Sequence, residues 1–97
     1  EHRHEPEILQ CLGDPKGERI QTMFVPHLLP LSRGIFVTAY LTLPRSVSKE
    51  LSERYREFYK DSPFIRFRTG SPDLHDVVGT NFCDLSIVVR GEQVVVM

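Results

Sequence analysis

Two short stretches contain three of the four histidines of this sequence, each stretch with an arginine, and these residue types could do chemistry. The first, HRHEPEI, places His2, Arg3 and His4 just before an apolar position at Ile8. Histidine can act as a general acid or base, and arginine binds carboxylates and phosphates. A helix N-terminus disfavours a charged imidazolium, and a neutral imidazole can accept a proton. These residue types fit an acid/base site and a solvated loop equally well.

The second stretch, PHLLPLSRG, contains His27, Ser32 and Arg33 on a connection stiffened by two prolines. One interpretation is a substrate clamp, in which Arg33 binds an anionic group while His27 and Ser32 form hydrogen bonds beside it. The other is a rigid crossover loop whose arginine is solvated. The residues alone favour neither interpretation.

The two cysteines are poor candidates for a nucleophile. Cys83 falls on the same face of an alternating segment as Leu85 and Ile87, which predicts a thiol that packs as a small hydrophobe in the core. Cys11, within a short predicted helix, is no better placed. We therefore expect no catalytic cysteine in this sequence.

The histidines could also bind a metal ion. His2 and His4 could supply two nitrogens, and His27, His75 or a cysteine could complete the set. Structural zinc sites use recognisable pairs of ligands, and no CxxC or HxxxH spacing is present. A metal site is therefore the weakest of the three interpretations.

Length and composition indicate one globular domain over residues 1–97, with 40% hydrophobic and 26% charged residues. A net charge of −1 without a basic run argues against nucleic-acid binding. No apolar stretch reaches the roughly 18–20 residues of a membrane span. Two cysteines are too few for a disulfide framework, which favours a reducing, cytoplasmic setting.

The residue pattern predicts two helices and about five strands. The helices are expected over residues 6–12 and 47–60, the second with Ser46 or Ser48 as its cap and a Glu50–Arg54 ion pair. Strands are expected over residues 20–25, 34–43, 64–68, 83–90 and 93–97, with a hairpin turn at Gly91-Glu92 and a central position for 34–43.

These elements predict an α+β fold: a mainly antiparallel (mixed) sheet of about five strands with both helices packed on one face. Arg66 and Arg68 are expected on the outer side of an edge strand rather than at a phosphate site. The chain starts abruptly and stops within an apolar strand, VVVM, whereas domain boundaries usually fall in polar linkers. We therefore expect a piece of a larger polypeptide.

Four segments, HRHEPEI, FVPHLLPLSRGI, YREFYKDSPFIR and GTNFCDLSI, together resemble N-acetyl-γ-glutamyl-phosphate reductase, a relative of aspartate-semialdehyde dehydrogenases. They occur in the family's order and extend over nearly the whole sequence. The resemblance is to the C-terminal catalytic and dimerisation part alone. It implies that a dinucleotide-binding Rossmann domain precedes this segment and that a helical segment follows it.

The resemblance implies an NADP-dependent enzyme of arginine biosynthesis, an oxidoreductase that reduces an acyl phosphate to N-acetylglutamate semialdehyde. In that family a cysteine attacks the acyl phosphate, and a histidine serves as acid/base. The cysteine belongs to an upstream Gly-Cys element, and NADP is bound mainly by the Rossmann domain. This sequence contains no GxGxxG loop, so we expect the segment alone to be inactive.

By the same resemblance, His2 is the acid/base, with His4 in reserve, and the substrate-binding residues are Arg33, His27, Ser32 and Arg3. The small-molecule substrate is the expected partner, together with a second copy bound through the sheet. The alternative is a non-catalytic α+β interaction or oligomerisation module that uses the same sheet. Such a module would fold as a free-standing domain without catalytic flanks.

Overall fold

The structure is a computed structural model that describes residues 3–13 and 20–97. The chain forms two compact units, Glu1–Pro30 and Leu31–Met97. The expectation of one domain over residues 1–97 stays a prediction.

The first unit contains helix α1, His4–Leu12, which begins two residues before the predicted start. Pro6 is accommodated in the first turn, where a helix needs no backbone N–H. The helix ends at Gly13, whose φ of +67° suits glycine and whose N–H donates to the carbonyl of Leu9 at 3.3 Å. The predicted helix is confirmed.

The strand predicted over residues 20–25 is wrong, because residues 20–30 form neither helix nor strand. A strand needs a hydrogen-bonded neighbour, and the described part of this unit provides none. Thr22 and Phe24 are half-buried, whereas Met23 and Val25 are exposed. The side chains therefore alternate between half-buried and exposed although the backbone forms no hydrogen-bonded β-ladder.

The second unit contains a three-stranded antiparallel sheet in the order β1 (Ala39–Thr42), β5 (Gln93–Val96), β4 (Ile87–Arg90). Val94, at the centre of β5, is the one buried apolar residue in the described ranges. The inner face that it shares is made of Ala39, Leu41, Ile87, Val89, Val94 and Val96. The core of the unit lies on this face.

The prediction that residues 34–43 form a central strand is wrong. Strand β1 covers Ala39–Thr42 alone and lies at an edge of the sheet. The reason is topological: β5 returns through the predicted Gly91-Glu92 turn, which is confirmed, and occupies the centre by pairing with strands on both sides. Gly91 has φ +62°, as a two-residue hairpin turn requires.

The predicted helix over 47–60 is two helices, α2 (Arg45–Ser48) and α3 (Leu51–Phe58). The Oγ of Ser48 is not a cap, as no side chain caps either helix; it donates to the carbonyl of Gly91 at 2.6 Å. This buried bond ties α2 to the hairpin turn, and the chain turns at Lys49 before α3 begins. The predicted Glu50–Arg54 pair is confirmed at 3.1 Å.

The remaining strands, β2 (Ile65–Phe67) and β3 (Cys83–Leu85), form a separate parallel pair. The segment predicted as one strand over 83–90 therefore serves two sheets. The switch occurs at Ser86, which exchanges two backbone hydrogen bonds of 2.9 Å with Met97. The α+β class with a mostly antiparallel sheet is confirmed, and the packing of helices on one face stays a prediction.

Candidate functional site

The HRH segment is described from Arg3 onward. His2, the predicted acid/base, lies outside the described residues, so its role stays a prediction. His4 is the first residue of α1, directly after Arg3 at the N-cap, and both are exposed. The ring of His4 lies 6.5 Å from that of Phe24, centroid to centroid. The reserve histidine is thus placed at the helix start.

The residues of the predicted clamp are divided between the two units. His27 belongs to the first unit, and Ser32 and Arg33 belong to the second. All three side chains are exposed, and Ser32 and Arg33 lie together at a bend. Arg33 forms no ion pair with a residue of the described ranges, so its charge is available to a ligand.

Gly34 holds the Ser32-Arg33 bend against a second loop of the same unit. Its φ of +111° is a conformation that L side chains rarely adopt. A Cβ at this position would lie 2.8 Å from Cδ1 of Leu74 and 3.3 Å from Cγ2 of Val78. Only glycine allows this approach to the 3-10 turn Leu74–Asp76.

Replacing Gly34 by alanine is therefore expected to lower the free energy of unfolding by about 2 kcal/mol or more, because backbone strain and a clash add. The matched control is Gly79→Ala. Gly79 also has a positive φ, +78°, but a Cβ there would meet nothing within 4 Å. Urea unfolding should show a loss of about 1 kcal/mol for the control. Equal losses in the two variants would contradict the Gly34–Leu74 contact.

The 3-10 turn carries a histidine that is oriented by a carboxylate. Oδ1 of Asp73 accepts from the backbone N–H of His75 at 2.9 Å and lies 3.0 Å from its Nδ1. These contacts, the backbone one first, hold the pKa of Asp73 below its ordinary value. Because a carboxylate only accepts hydrogen bonds, Nδ1 is the donor here. From the sequence alone, His75 was a candidate only as a metal ligand.

A network of two arginines and two carboxylates lies beside this turn. Arg66 binds Asp84 through two hydrogen bonds, Nε to Oδ1 at 2.6 Å and Nη2 to Oδ2 at 3.0 Å. Arg68 donates to Oδ2 of Asp76 at 2.6 Å, and its Nε lies 3.5 Å from Oδ2 of Asp84. The Asp84 hydrogen bond, opposed by desolvation, raises the pKa of Arg66 above its ordinary value.

Arg66 lies on an edge strand as expected, because β2 is one of the two strands of its sheet, but Arg66 and Arg68 are both paired with carboxylates. The parallel register places Arg66 directly opposite Asp84 on the neighbouring strand, and the Asp84 side chain is only 2% exposed. The sequence carries no signal for this pairing beyond the opposite charges, because the register depends on the fold.

The prediction for Cys83 is also wrong. Its side chain is exposed, while its neighbours Asp84 and Ser86 occupy the buried positions. The face of β3 is thus the reverse of the predicted one, because Asp84 turns inward to meet Arg66. Cys11 is exposed too, and both thiols are free. Exposure alone does not make a thiol nucleophilic, so neither cysteine gains a catalytic assignment.

Neither a metal-binding cluster nor a membrane-spanning helix occurs within residues 3–13 and 20–97. No group of three or more His, Cys, Asp or Glu side chains there could hold a metal ion. None of the helices described is long and apolar enough to cross a membrane. The parallel strands β2 and β3 are joined by a loop and a 3-10 turn, without the strand, glycine-rich loop and helix that a dinucleotide requires. The described residues do not fit a nicotinamide dinucleotide.

The described residues combine an α+β fold, a mostly antiparallel sheet and several exposed histidine and arginine side chains. The family model described as "Semialdehyde dehydrogenase, dimerisation domain" matches residues 1–97. The chain belongs to this family.

Several similar proteins bear the name N-acetyl-gamma-glutamyl-phosphate reductase. The chain is 48% identical to that of Methanosarcina barkeri, over 88% of its length and 26% of the relative's. It is 42% identical to that of Symbiobacterium thermophilum, over 91% and 26%, and 43% identical to that of Microcystis aeruginosa, over 99% and 29%. The chain thus spans about a quarter of the length of these curated relatives, and the resemblance drawn from its motifs is confirmed.

Proposed function

We propose that this chain is a segment of an NADP-dependent reductase that converts N-acetyl-γ-glutamyl phosphate to N-acetylglutamate 5-semialdehyde and phosphate, in arginine biosynthesis in the cytoplasm. The observation that carries the proposal is the identity of 42–48% to reductases of that name over most of the chain. Because the chain spans only a quarter of those relatives, the activity belongs to a longer protein. The segment alone is inactive.

In this proposal the segment supplies proton transfer and substrate binding. His2, with His4 in reserve, holds the proton exchanged with the carbonyl oxygen as the carbon is reduced. Arg33, with His27, Ser32 and Arg3, binds the anionic groups of the substrate. The nucleophilic cysteine and NADP, which supplies the hydride when bound, belong to the rest of the protein. The exposure of His4, Ser32 and Arg33 supports this division, because an uncovered site is available to another domain.

The proposal is tested on the full-length protein in the oxidative direction. We expect N-acetylglutamate semialdehyde to reduce NADP only when inorganic phosphate is present, because phosphate must release the acyl group. The 97-residue chain alone is the control and should show no turnover. An inactive full-length protein that also lacks an upstream cysteine would support the non-catalytic interaction module instead.

We further propose that the protein is a homo-oligomer assembled through the three-stranded sheet. The outer face of that sheet carries an apolar row across all three strands, Tyr40, Val95 and Val88, in register. Tyr40 is 78% and Val88 41% exposed. A contiguous apolar row on an exposed sheet face is typical of a surface that another chain covers. The match to a dimerisation-domain family supports a second copy as that partner.

Replacing Tyr40 by lysine should weaken this assembly, because a charge within an apolar interface must be desolvated. Phe58→Lys is the matched control, because Phe58 is also 78% exposed but lies on α3, away from the sheet. Sedimentation of the full-length protein should show dissociation of Tyr40→Lys at about tenfold higher concentration than wild type. Dissociation of Phe58→Lys alone would place the interface on α3.

A further inference from the structure

We propose that His75, oriented by Asp73, is an anion-binding residue at the same loop junction as Arg33. Its ligand is a carboxylate or phosphate oxygen of the substrate. The ligand's identity rests on the proposed function, whereas the site rests on the geometry of the second unit.

Asp73 fixes the orientation of the His75 imidazole. Asp73 receives the backbone N–H of His75 at 2.9 Å and faces its Nδ1 at 3.0 Å, so the ring is held at one edge. The side chain is otherwise 97% exposed. Nε2 therefore faces solvent, and in the protonated ring it is a second donor that no described residue uses.

The 3-10 turn that carries His75 lies against the residue that follows Arg33. Leu74, next to His75 in the chain, lies where a Cβ on Gly34 would come within 2.8 Å, and Gly34 directly follows Arg33. His75 follows Leu74 and Arg33 precedes Gly34, and consecutive Cα atoms are about 3.8 Å apart. Each of the two residues is therefore one position away from the close contact between Leu74 and Gly34. A histidine and an arginine side chain therefore border one loop junction.

Hydrogen bonds from two arginines hold this turn in place. Asp76 accepts from Arg68 through Oδ2 at 2.6 Å and from Arg66 through its backbone carbonyl at 3.2 Å. These bonds fix the turn at Asp76, two residues after Leu74, which lies against Gly34. They also pair Arg66 and Arg68 with carboxylates, whereas neither Nε2 of His75 nor Arg33 is paired with a carboxylate among the described residues.

The experiment measures binding to the full-length protein by calorimetry, with two probes titrated separately: inorganic phosphate and N-acetylglutamate. His75→Gln should weaken one probe about tenfold, the effect of losing one charge-assisted hydrogen bond. Asp73→Asn should weaken the same probe about threefold, because the ring loses its orientation. Lys49→Gln, which removes an exposed charge elsewhere, should bind both probes as wild type does.

A loss confined to phosphate would place His75 at the acyl phosphate, and a loss confined to N-acetylglutamate would place it at the carboxylate. Unchanged affinity for both probes in a folded His75→Gln protein would overturn the proposal. So would a fall in kcat at unchanged KM, since that pattern indicates proton transfer and not binding. Because binding needs no turnover, a protein that binds phosphate through His75 but reduces no NADP would contradict the proposed function alone.

Discussion

Replacing Asp84 by asparagine is expected to lower the free energy of unfolding by about 2–3 kcal/mol, because it removes the charge that pairs with Arg66 in a buried position. The Asp84 side chain is 2% exposed and accepts two hydrogen bonds from Arg66. The amide keeps the shape but turns one acceptor into a donor facing a guanidinium. Thermal unfolding should show a midpoint roughly 10 °C lower, or more.

The exposed ion pair on α3 provides the control. Glu50→Gln removes one charge from a pair whose side chains are 54% and 61% exposed, so its cost should stay within about 0.5 kcal/mol. Arg66→Met should destabilise as strongly as Asp84→Asn, because it leaves the buried carboxylate with only the longer contact to Arg68, at 3.5 Å. If Glu50→Gln and Asp84→Asn cost the same, the buried network would not stabilise the fold.

Elements encoded by neighbouring residues could be predicted from the sequence. Helix α1 follows from Pro6 and Gly13, the hairpin from Gly91-Glu92, and strand β2 from alternation over three residues. Each signal acts within a few positions, where backbone conformation and side-chain alternation decide the structure. The α+β class follows from the same local signals.

Features that depend on pairing between distant segments could not be predicted. The edge position of β1 depends on β5, more than fifty residues later in the chain, taking the central place. The switch of sheets at Ser86 depends on its pairing with Met97. The break between α2 and α3 accompanies the bond from Ser48 to Gly91, 43 residues away. Local periodicity carries none of this information.

The candidate site also contains residues that could be identified from the sequence and residues that could not. The HRH and SRG motifs were identified from residue type alone, because histidine and arginine indicate acid/base chemistry and anion binding in any sequence. The Asp73–His75 pair and the Arg66–Asp84 network were missed, because a parallel register and a 3-10 turn bring their partners together. Arg66 and Asp84 are 18 residues apart in the sequence, so their pairing cannot be inferred until the strand register is known.

In the full-length protein, replacing His2 by asparagine is expected to reduce kcat at least ~100-fold, the usual effect of losing a general acid/base. The effect of His4→Asn on kcat is expected to be mild. His4 is the first residue of α1 and its ring lies 6.5 Å from that of Phe24, so we assign it to the start of the helix and not to proton transfer. The measurement is phosphate-dependent reduction of NADP by N-acetylglutamate semialdehyde.

The split between kcat and KM separates the histidines by role. His27→Asn, at a residue proposed to bind substrate, should raise KM with little change in kcat, whereas an acid/base variant loses kcat itself. If His4→Asn shows the large loss and His2→Asn the mild one, the enzyme proposal stands and the role moves to the start of α1. If both variants keep the wild-type kcat, neither imidazole of HRHEPEI transfers the proton, and the acid/base lies elsewhere in the full-length protein.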